Sequence, residues 1–181
     1  MKKLLAVLIT VFLVSGTAHF VSAQDLKQKE KALWTKEFHD IIPKDKIIGV
    51  DQFKKVWEEV TTGKRNAYLI DVRSHSEFYA FHIEGTDHIH AGHMYTIPKK
   101  IKDPNAEIYI FCRTQRRGIY VAGFLYKYGY KNVYFYNDGI VGWAKAGLPF
   151  VNQFTGKFII TEYHKYFNED GKYRVREFHP Y

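Results

Sequence analysis

The chain has 181 residues, a formal charge of +8 and one cysteine. A chain of this length can bury the core of a single domain, and a lone cysteine excludes a fold stabilised by internal disulfides. The positive charge suits anionic small molecules, whereas the lack of a contiguous basic and aromatic module argues against nucleic-acid binding.

The N-terminal residues have the pattern of a bacterial secretory signal peptide. Lys2 and Lys3 carry positive charge, residues 4–14 are uncharged and apolar, and the small residue Ala23 is a suitable cleavage point. A membrane anchor is the alternative, but the apolar run is short for a span. We therefore expect residues 1–23 to be removed by cleavage after Ala23, leaving a periplasmic protein with no stable membrane insertion.

The next segment, residues 24–45, predicts an N-terminal helical extension. Residues 25–40 are charged, their apolar residues follow the spacing of one helix face, and Pro43 ends the helix. We expect this helix to pack on the main domain through those apolar side chains. They are Leu26, Leu33, Trp34 and Ile41.

Strand and helix patterns alternate from residue 46 to residue 150. Short apolar runs predict strands over residues 46–50, 67–72, 87–90, 106–111 and 132–136. Apolar spacing predicts helices over residues 51–61, 74–81, 119–126 and 140–146, and a short helical or irregular connection over residues 94–101. Asp51 is the expected N-cap of the first helix. This alternation is typical of an α/β fold with a mostly parallel central sheet flanked by helices.

The last segment, residues 151–181, has a different pattern. Residues 157–167 and 172–178 are rich in strand-forming residues and flank Asp170 and Gly171, a dipeptide typical of hairpin turns. We therefore predict a C-terminal extension that folds as a β-hairpin.

Cys112 stands between a predicted strand and the next predicted helix, and Arg113, Arg116 and Arg117 follow it directly. Ligands bind at the carboxyl ends of strands in open α/β sheets, and helix N-termini favour anions. We therefore expect a thiolate whose pKa lies well below the ordinary value of about 8.5, directed at an anionic partner.

Four segments in a fixed order resemble the rhodanese family of sulfurtransferases. Residues 69–73 (Leu-Ile-Asp-Val-Arg) are similar to the family's first motif, and residues 81–85 (Phe-His-Ile-Glu-Gly) to its Gly-His-Ile-Pro-Gly segment. Residues 112–117 (Cys-Arg-Thr-Gln-Arg-Arg) are similar to its Cys-Arg-x-Gly-x-Arg active loop, and residues 139–149 to its closing segment. The resemblance covers residues 46–150, which we expect to form a rhodanese-like domain.

The length of the loop separates this family from a related one. Four residues stand between Cys112 and Arg117, as in rhodaneses, whereas the related protein phosphatases have five. A shorter loop makes a narrower cradle of backbone amides, which suits a thiol-bound sulfur better than a phosphate. Loop length therefore favours sulfur transfer over phosphate hydrolysis.

The resemblance implies a thiosulfate sulfurtransferase that works by two displacements and needs no metal or organic cofactor. Cys112 attacks the outer sulfur of thiosulfate or a similar anionic donor, and the resulting persulfide passes its sulfur to cyanide or a thiol. Asp71 and Arg73 are expected to support the site structurally, through a cap or an ion pair. The implied substrate-binding residues are Arg113, Thr114, Gln115, Arg116, Arg117 and Gly118.

Two departures from the family pattern bear on the substrate. Gln115 replaces the loop glycine, so either the backbone avoids a positive φ there or some strain is tolerated. The amide of Gln115 could also contact the substrate. Gly118 replaces the small hydroxyl residue that commonly follows the loop arginine.

Other functions stay open at this point. A non-catalytic sulfur carrier, or a module that binds a partner protein, would keep the fold without turnover, and a redox or arsenate-handling enzyme would need a resolving thiol from a partner. The density of histidines suggests metal, but no carboxylate or thiolate joins them at a recognisable ligand spacing, so we predict no metal site. These histidines are His75, His82, His88, His90 and His93.

Overall fold

The computed structural model describes residues 23–161, so the predicted signal peptide lies outside this range except for Ala23. Its centre is a five-stranded sheet in which every pairing is parallel. The strands are β1 (Ile47–Ile48), β2 (Tyr68–Asp71), β3 (Asp87–His88), β4 (Glu107–Phe111) and β5 (Asn132–Tyr136), in the lateral order β1-β5-β4-β2-β3. The predicted α/β fold with a parallel sheet is confirmed.

Within residues 23–161, six α-helices connect or flank the strands, each close to its predicted position. They are α1 (Ala23–Trp34), α2 (Val50–Thr61), α3 (His75–Ala80), α4 (Ile97–Lys100), α5 (Arg116–Tyr128) and α6 (Gly139–Lys145). A π-helical turn, Thr35–His39, extends α1, and 3-10 turns occupy Lys44–Lys46 and Ala91–Thr96.

The prediction that Asp51 caps α2 is wrong, because the helix begins one residue earlier and its N-cap is Gly49. The Gly49 N–H donates to Gln52 Oε1 at 3.2 Å, and the Val50 N–H donates to Asp138 Oδ2 at 2.9 Å. Asp138 comes from the far end of the chain. A carboxylate from another element therefore fixes the start of the helix, which local sequence could not reveal.

The core has two halves, one on each face of the sheet. In β4, Ile108 and Ile110 belong to one half, and Tyr109 and Phe111 belong to the other. Side chains alternate between faces along a strand, and a parallel sheet covered on both sides buries both sets. Cys112 continues the register of Ile108 and Ile110, so its side chain enters the half of the core that α5 covers.

The N-terminal segment packs against α5. The Phe38 ring lies 4.7 Å from the Tyr120 ring and 4.8 Å from the Phe124 ring, measured between centroids. Between those two residues on α5, Gly123 leaves room for the Phe38 backbone, since a Cβ there would lie 2.8 Å from Phe38 Cα. The predicted amphipathic helix thus reaches the main domain through Trp34 and the π-helical turn that follows it. The expectation that Leu26 and Leu33 make this contact is wrong, because they are 58% and 57% exposed.

The C-terminal part of the described chain contains an antiparallel hairpin formed by β6 (Phe150–Asn152) and β7 (Gly156–Phe158). It lies earlier in the chain than the hairpin expected around Asp170 and Gly171, and that turn falls outside the described residues. None of the helices between residues 23 and 161 is both long enough and apolar enough to cross a membrane.

Candidate active site

The loop from Cys112 to Arg117 links the carboxyl end of β4 to the N-terminus of α5. Cys112 is 1% exposed, and its Sγ accepts hydrogen bonds from the backbone N–H groups of Thr114 and Gly118. Gln115, the N-cap of α5, is exposed on the rim of the loop, as is Thr114. The loop therefore surrounds the sulfur with amide donors, as a cradle for a negatively charged group does.

The N-terminus of α6 holds the other side of this loop. The Ile140 N–H donates to the Cys112 carbonyl at 3.0 Å, and the Val141 N–H donates to the Arg113 carbonyl at 3.1 Å. Gly139 precedes them with φ +56°, and a Cβ there would lie 2.5 Å from the Cys112 oxygen. Because the loop carbonyls are bound from outside, its amides are left to point at the sulfur.

Gln115 adopts φ −128° and ψ −47°, and no residue other than glycine has a positive φ in the described part of the chain. The loop therefore avoids the left-handed conformation at this position. Of the two possibilities that the sequence left open, the structure shows the unstrained one. A glycine is not needed here for the backbone to turn.

Two of the loop arginines are engaged by acidic side chains of other elements. Arg117 makes a bidentate contact with Glu77 of α3, with Nη1–Oε2 and Nη2–Oε1 distances of 2.5 and 2.9 Å. Arg116 pairs with Glu30 of α1, and its guanidinium lies 4.5 Å from the centre of the Trp34 ring. Arg113 is half-buried. Arg116 and Arg117 therefore each share their charge with a carboxylate.

The expectation of a strongly lowered thiol pKa is wrong. Burial raises the pKa of the Cys112 thiol above its ordinary value, against the lowering effect of the Gly118 and Thr114 amides and of the charge on Arg117. The negative charge of Asp71 raises it further. The prediction took account of the neighbouring arginines. It did not take account of the burial of Cys112 or of the ion pair between Arg117 and Glu77.

Glu77 is a charged residue of the site that sequence analysis missed. Burial raises the pKa of its carboxyl, but hydrogen bonds from Arg117 and Ser74 outweigh burial and lower the pKa to about 2. Ser74 and Glu77 form a capping box at the start of α3, which the Ser-x-x-Glu spacing signals. The spacing predicts the cap but not the contact with Arg117.

Asp71 and Arg73 form a buried ion pair beside the loop. Asp71 is 0% exposed and Arg73 is 2% exposed, and Arg73 Nε lies 2.8 Å from Asp71 Oδ2. Arg73 Nη2 donates to the Phe81 carbonyl at 2.6 Å, and His88 Nε2 donates to the Arg73 carbonyl at 2.9 Å. The pair ties β2 to the segment after α3, and the charge of Asp71 acts on the Cys112 thiol.

Gly118 matters to the site in two ways, through its backbone amide and through its lack of a side chain. Its N–H donates to Cys112 Sγ, and a Cβ at this position would lie 2.6 Å from Cε2 of Phe135. The small hydroxyl residue expected at this point would therefore collide with the core. Gly118 lets the first turn of α5 approach β5 closely.

Four of the five histidines that the sequence analysis considered as possible metal ligands lie close together at one edge of the sheet. They are His75, His88, His90 and His93. His82 stands apart, stacked on Phe78 with its Nδ1 3.1 Å from the Phe78 carbonyl. Within residues 23–161, no three histidine, cysteine or acidic side chains are placed to hold one metal ion.

A sequence model of the rhodanese-like domain family matches residues 52–146. Thiosulfate sulfurtransferase GlpE of Haemophilus influenzae is 30% identical over 96 residues, which are 53% of this chain and 88% of that protein. The protein of the same name from Actinobacillus succinogenes is also 30% identical over 96 residues, covering 84% of its length.

A solved structure extends the likeness beyond the matched domain. The polysulfide-sulfur transferase homodimer from Wolinella succinogenes superposes with a TM-score of 0.54 at 20% identity, covering 78% of this chain and 97% of the other. At this identity the likeness concerns the fold alone.

Proposed function

The chain belongs to the rhodanese-like domain family, and from that premise we propose that it is a sulfurtransferase acting through a persulfide on Cys112. The observation that carries the proposal is the six-residue loop in which two backbone amides donate to the sulfur of the only cysteine. Its relatives' names point to thiosulfate as the donor. The acceptor is cyanide or a thiol.

The proposed reaction has two displacements at sulfur. The Cys112 thiolate attacks the outer sulfur of thiosulfate, a new S–S bond forms, and the bond to the sulfonate sulfur breaks as sulfite leaves with the electron pair. The acceptor then attacks the outer sulfur of the persulfide, and Cys112 leaves as a thiolate. Loop amides stabilise the negative charge on sulfur in both steps, and Arg113 and Arg117 orient the anionic donor.

Replacing the nucleophile tests the proposal directly. We expect Cys112→Ser to abolish formation of thiocyanate from thiosulfate and cyanide, because serine cannot hold the transferred sulfur. Thiosulfate alone should add about 32 Da, the mass of one sulfur atom, to the wild-type protein and nothing to the variant. Gln115→Gly, which restores the family's loop residue, is the matched control and keeps the mass gain. A wild-type protein that gains no mass and yields no thiocyanate rules the proposal out.

The burial and raised pKa of the Cys112 thiol support a second candidate, a sulfur carrier or protein-binding module without turnover. Such a protein would hold the additional sulfur without releasing it to cyanide. Wild-type protein loaded with sulfur and then treated with cyanide separates the two candidates. Retention of the added mass favours the carrier, and its loss with equimolar thiocyanate favours the enzyme.

We also propose that the protein acts in the periplasm, after cleavage behind Ala23. The charged start, the apolar run and the small residue at the cleavage point support this location.

A further inference from the structure

The helix α1 exposes two large apolar side chains on the surface of the protein. Leu26 and Leu33 are 58% and 57% exposed, whereas Trp34 and Phe38 pack against the core. The two leucines are seven residues apart, which is two helical turns, so they lie along one line of the helix. Within residues 23–161, this apolar line therefore stays largely open to solvent.

Lysines alternate with the leucines along the same line. Lys29 follows Leu26 by three residues, and Lys36 follows Leu33 by three, which is the spacing of neighbours on a helix surface. Lys29, Leu33 and Lys36 also line the same surface recess, and all are exposed. Leu26, Lys29, Leu33 and Lys36 together form the α1 stripe.

The charge of this segment is positive on its outward side. Its two glutamates are bound by cations of α5, since Glu30 pairs with Arg116 and Glu37 pairs with Lys127. The remaining charged side chains between residues 23 and 38 are Asp25 and four lysines. The lysines are Lys27, Lys29, Lys31 and Lys36. The surface therefore complements an anionic partner.

The residue types of the α1 stripe favour a membrane surface over a protein partner. Protein interfaces take most of their binding energy from tryptophan, tyrosine and arginine, while lysine is depleted there and leucine is rare among the energetically dominant residues. A helix that lies in a membrane interface instead uses leucine on its apolar face and lysine on its polar face. A second copy of the chain fits less well, because the contact would bring two positively charged segments together.

We propose that the α1 stripe docks the protein on the surface of an anionic lipid bilayer. This inference goes beyond the proposed function and stands without it. Leu26 and Leu33 enter the boundary between headgroups and acyl chains, and the lysines bind lipid phosphates. The association is peripheral and reversible, with no membrane span. Because Glu30 of the same helix pairs with Arg116, docking holds the active loop close to the bilayer.

Binding to lipid vesicles tests the proposal. The experiment uses residues 24–181, the chain that the proposed cleavage leaves, which contains the whole sheet and the contacts of α1 with α5. Flotation measures its partition coefficient on vesicles of phosphatidylglycerol and phosphatidylethanolamine, and on vesicles of phosphatidylcholine alone. We expect the coefficient to be higher by about tenfold or more on the anionic vesicles, and to fall as salt is added.

Variants of the α1 stripe identify the docking surface. Leu33→Gln should lower the partition coefficient on anionic vesicles about tenfold, and Lys29→Gln about fivefold, since each removes one contact with the bilayer. The matched controls make the same changes elsewhere, at Ile159, which is 55% exposed, and at the exposed Lys55 of α2. Both positions adjoin residues that pack against the other half of the core. Ile159→Gln and Lys55→Gln should therefore bind as wild type does.

Several results would overturn the inference. They are a lack of binding to anionic vesicles, equal binding to anionic and neutral vesicles, and binding that neither Leu33→Gln nor Lys29→Gln weakens. A dimer in analytical ultracentrifugation that Leu33→Gln dissociates would assign the stripe to a second copy instead. Vesicle binding does not use the thiol, so Cys112→Ser should keep it. Failure to form thiocyanate would overturn the proposed function and leave this inference in place.

Discussion

At the scale of single residues, the contact between Glu77 and Arg117 bears on the thiol of Cys112. The thiol pKa is raised mainly by burial, and Arg117 is the charged side chain that lowers it. Because Glu77 holds both terminal nitrogens of Arg117, it offsets part of that lowering. We therefore expect this carboxylate to influence the reactivity of the sulfur through Arg117.

Glu77→Gln should therefore lower the pKa of Cys112. Glutamine keeps an oxygen for the Ser74 cap of α3 but removes the negative charge from Arg117. Persulfide formation follows the thiolate fraction, so in wild type its rate should rise with pH through the ordinary thiol pKa and beyond. In the variant the whole rising limb should move to lower pH, which is measured by stopped-flow kinetics with thiosulfate across a pH series.

Glu30→Gln is the matched control for this experiment. It removes the carboxylate that pairs with Arg116, whereas Arg117 is the arginine whose charge is a leading influence on the Cys112 pKa. Its profile should overlay that of wild type. If both variants leave the profile in place, the charge on Arg117 does not tune the thiol.

Gly118 is a residue whose importance lies in close packing. We expect Gly118→Ser, which restores the hydroxyl residue common in the family, to destabilise the fold by about 1–3 kcal/mol, since its Cβ would lie 2.6 Å from the Phe135 ring. Chemical denaturation measures this loss. Combined with Phe135→Leu, the serine should cost less than it does alone, because the smaller side chain makes room. Additive losses would mean that the ring is not what excludes a side chain at position 118.

At the scale of elements, the contact between the N-terminal segment and α5 depends on Gly123. Replacing glycine by alanine inside a helix normally stabilises it by about 1 kcal/mol. Here the added Cβ would lie 2.8 Å from Phe38 Cα and 2.9 Å from the Phe38 carbonyl oxygen, and backbone cannot rotate away. The structure therefore predicts the opposite sign.

We expect Gly123→Ala to lower stability by about 1–3 kcal/mol and to increase amide hydrogen exchange across α1 and Thr35–His39. Exchange in β4 and β5 should change least, because those strands lie in the centre of the sheet. Glu30→Gln serves as the control here too, since an exposed ion pair contributes about 0–1 kcal/mol. Greater stability in Gly123→Ala would contradict the close approach of Phe38.

The elements themselves were largely predictable from the sequence, whereas their contacts were not. Apolar runs and helical spacing placed every strand and helix of the domain near its observed bounds. Ile108, Ile110 and Cys112 alternate along one face of β4, so the burial of the thiol was also predictable from the sequence. The prediction of a lowered thiol pKa instead gave weight to the neighbouring arginines. The partners Glu77, Glu30 and Asp138 lie 40, 86 and 88 residues from the groups they bind, beyond the reach of local patterns.

At the scale of the whole molecule, the single cysteine and the predicted export are consistent with each other. An oxidising compartment joins accessible thiols into disulfides. Cys112 is the only thiol of the chain, so it can form no internal disulfide, and it is 1% exposed. A persulfide chemistry based on one buried sulfur is therefore compatible with the periplasm.

Export can be tested with the full chain expressed in a Gram-negative bacterium. We expect the protein in the periplasmic fraction with Gln24 as its first residue, determined by N-terminal sequencing. Ala23→Leu should block cleavage, because signal peptidase requires a small residue at that point. Ala18→Leu is the matched control, since it makes the same change at another small residue of the leader and should leave Gln24 as the first residue. A cytoplasmic protein that still begins at Met1 would overturn the prediction, and a new terminus at His19 in wild type would place the cleavage after Ala18 instead.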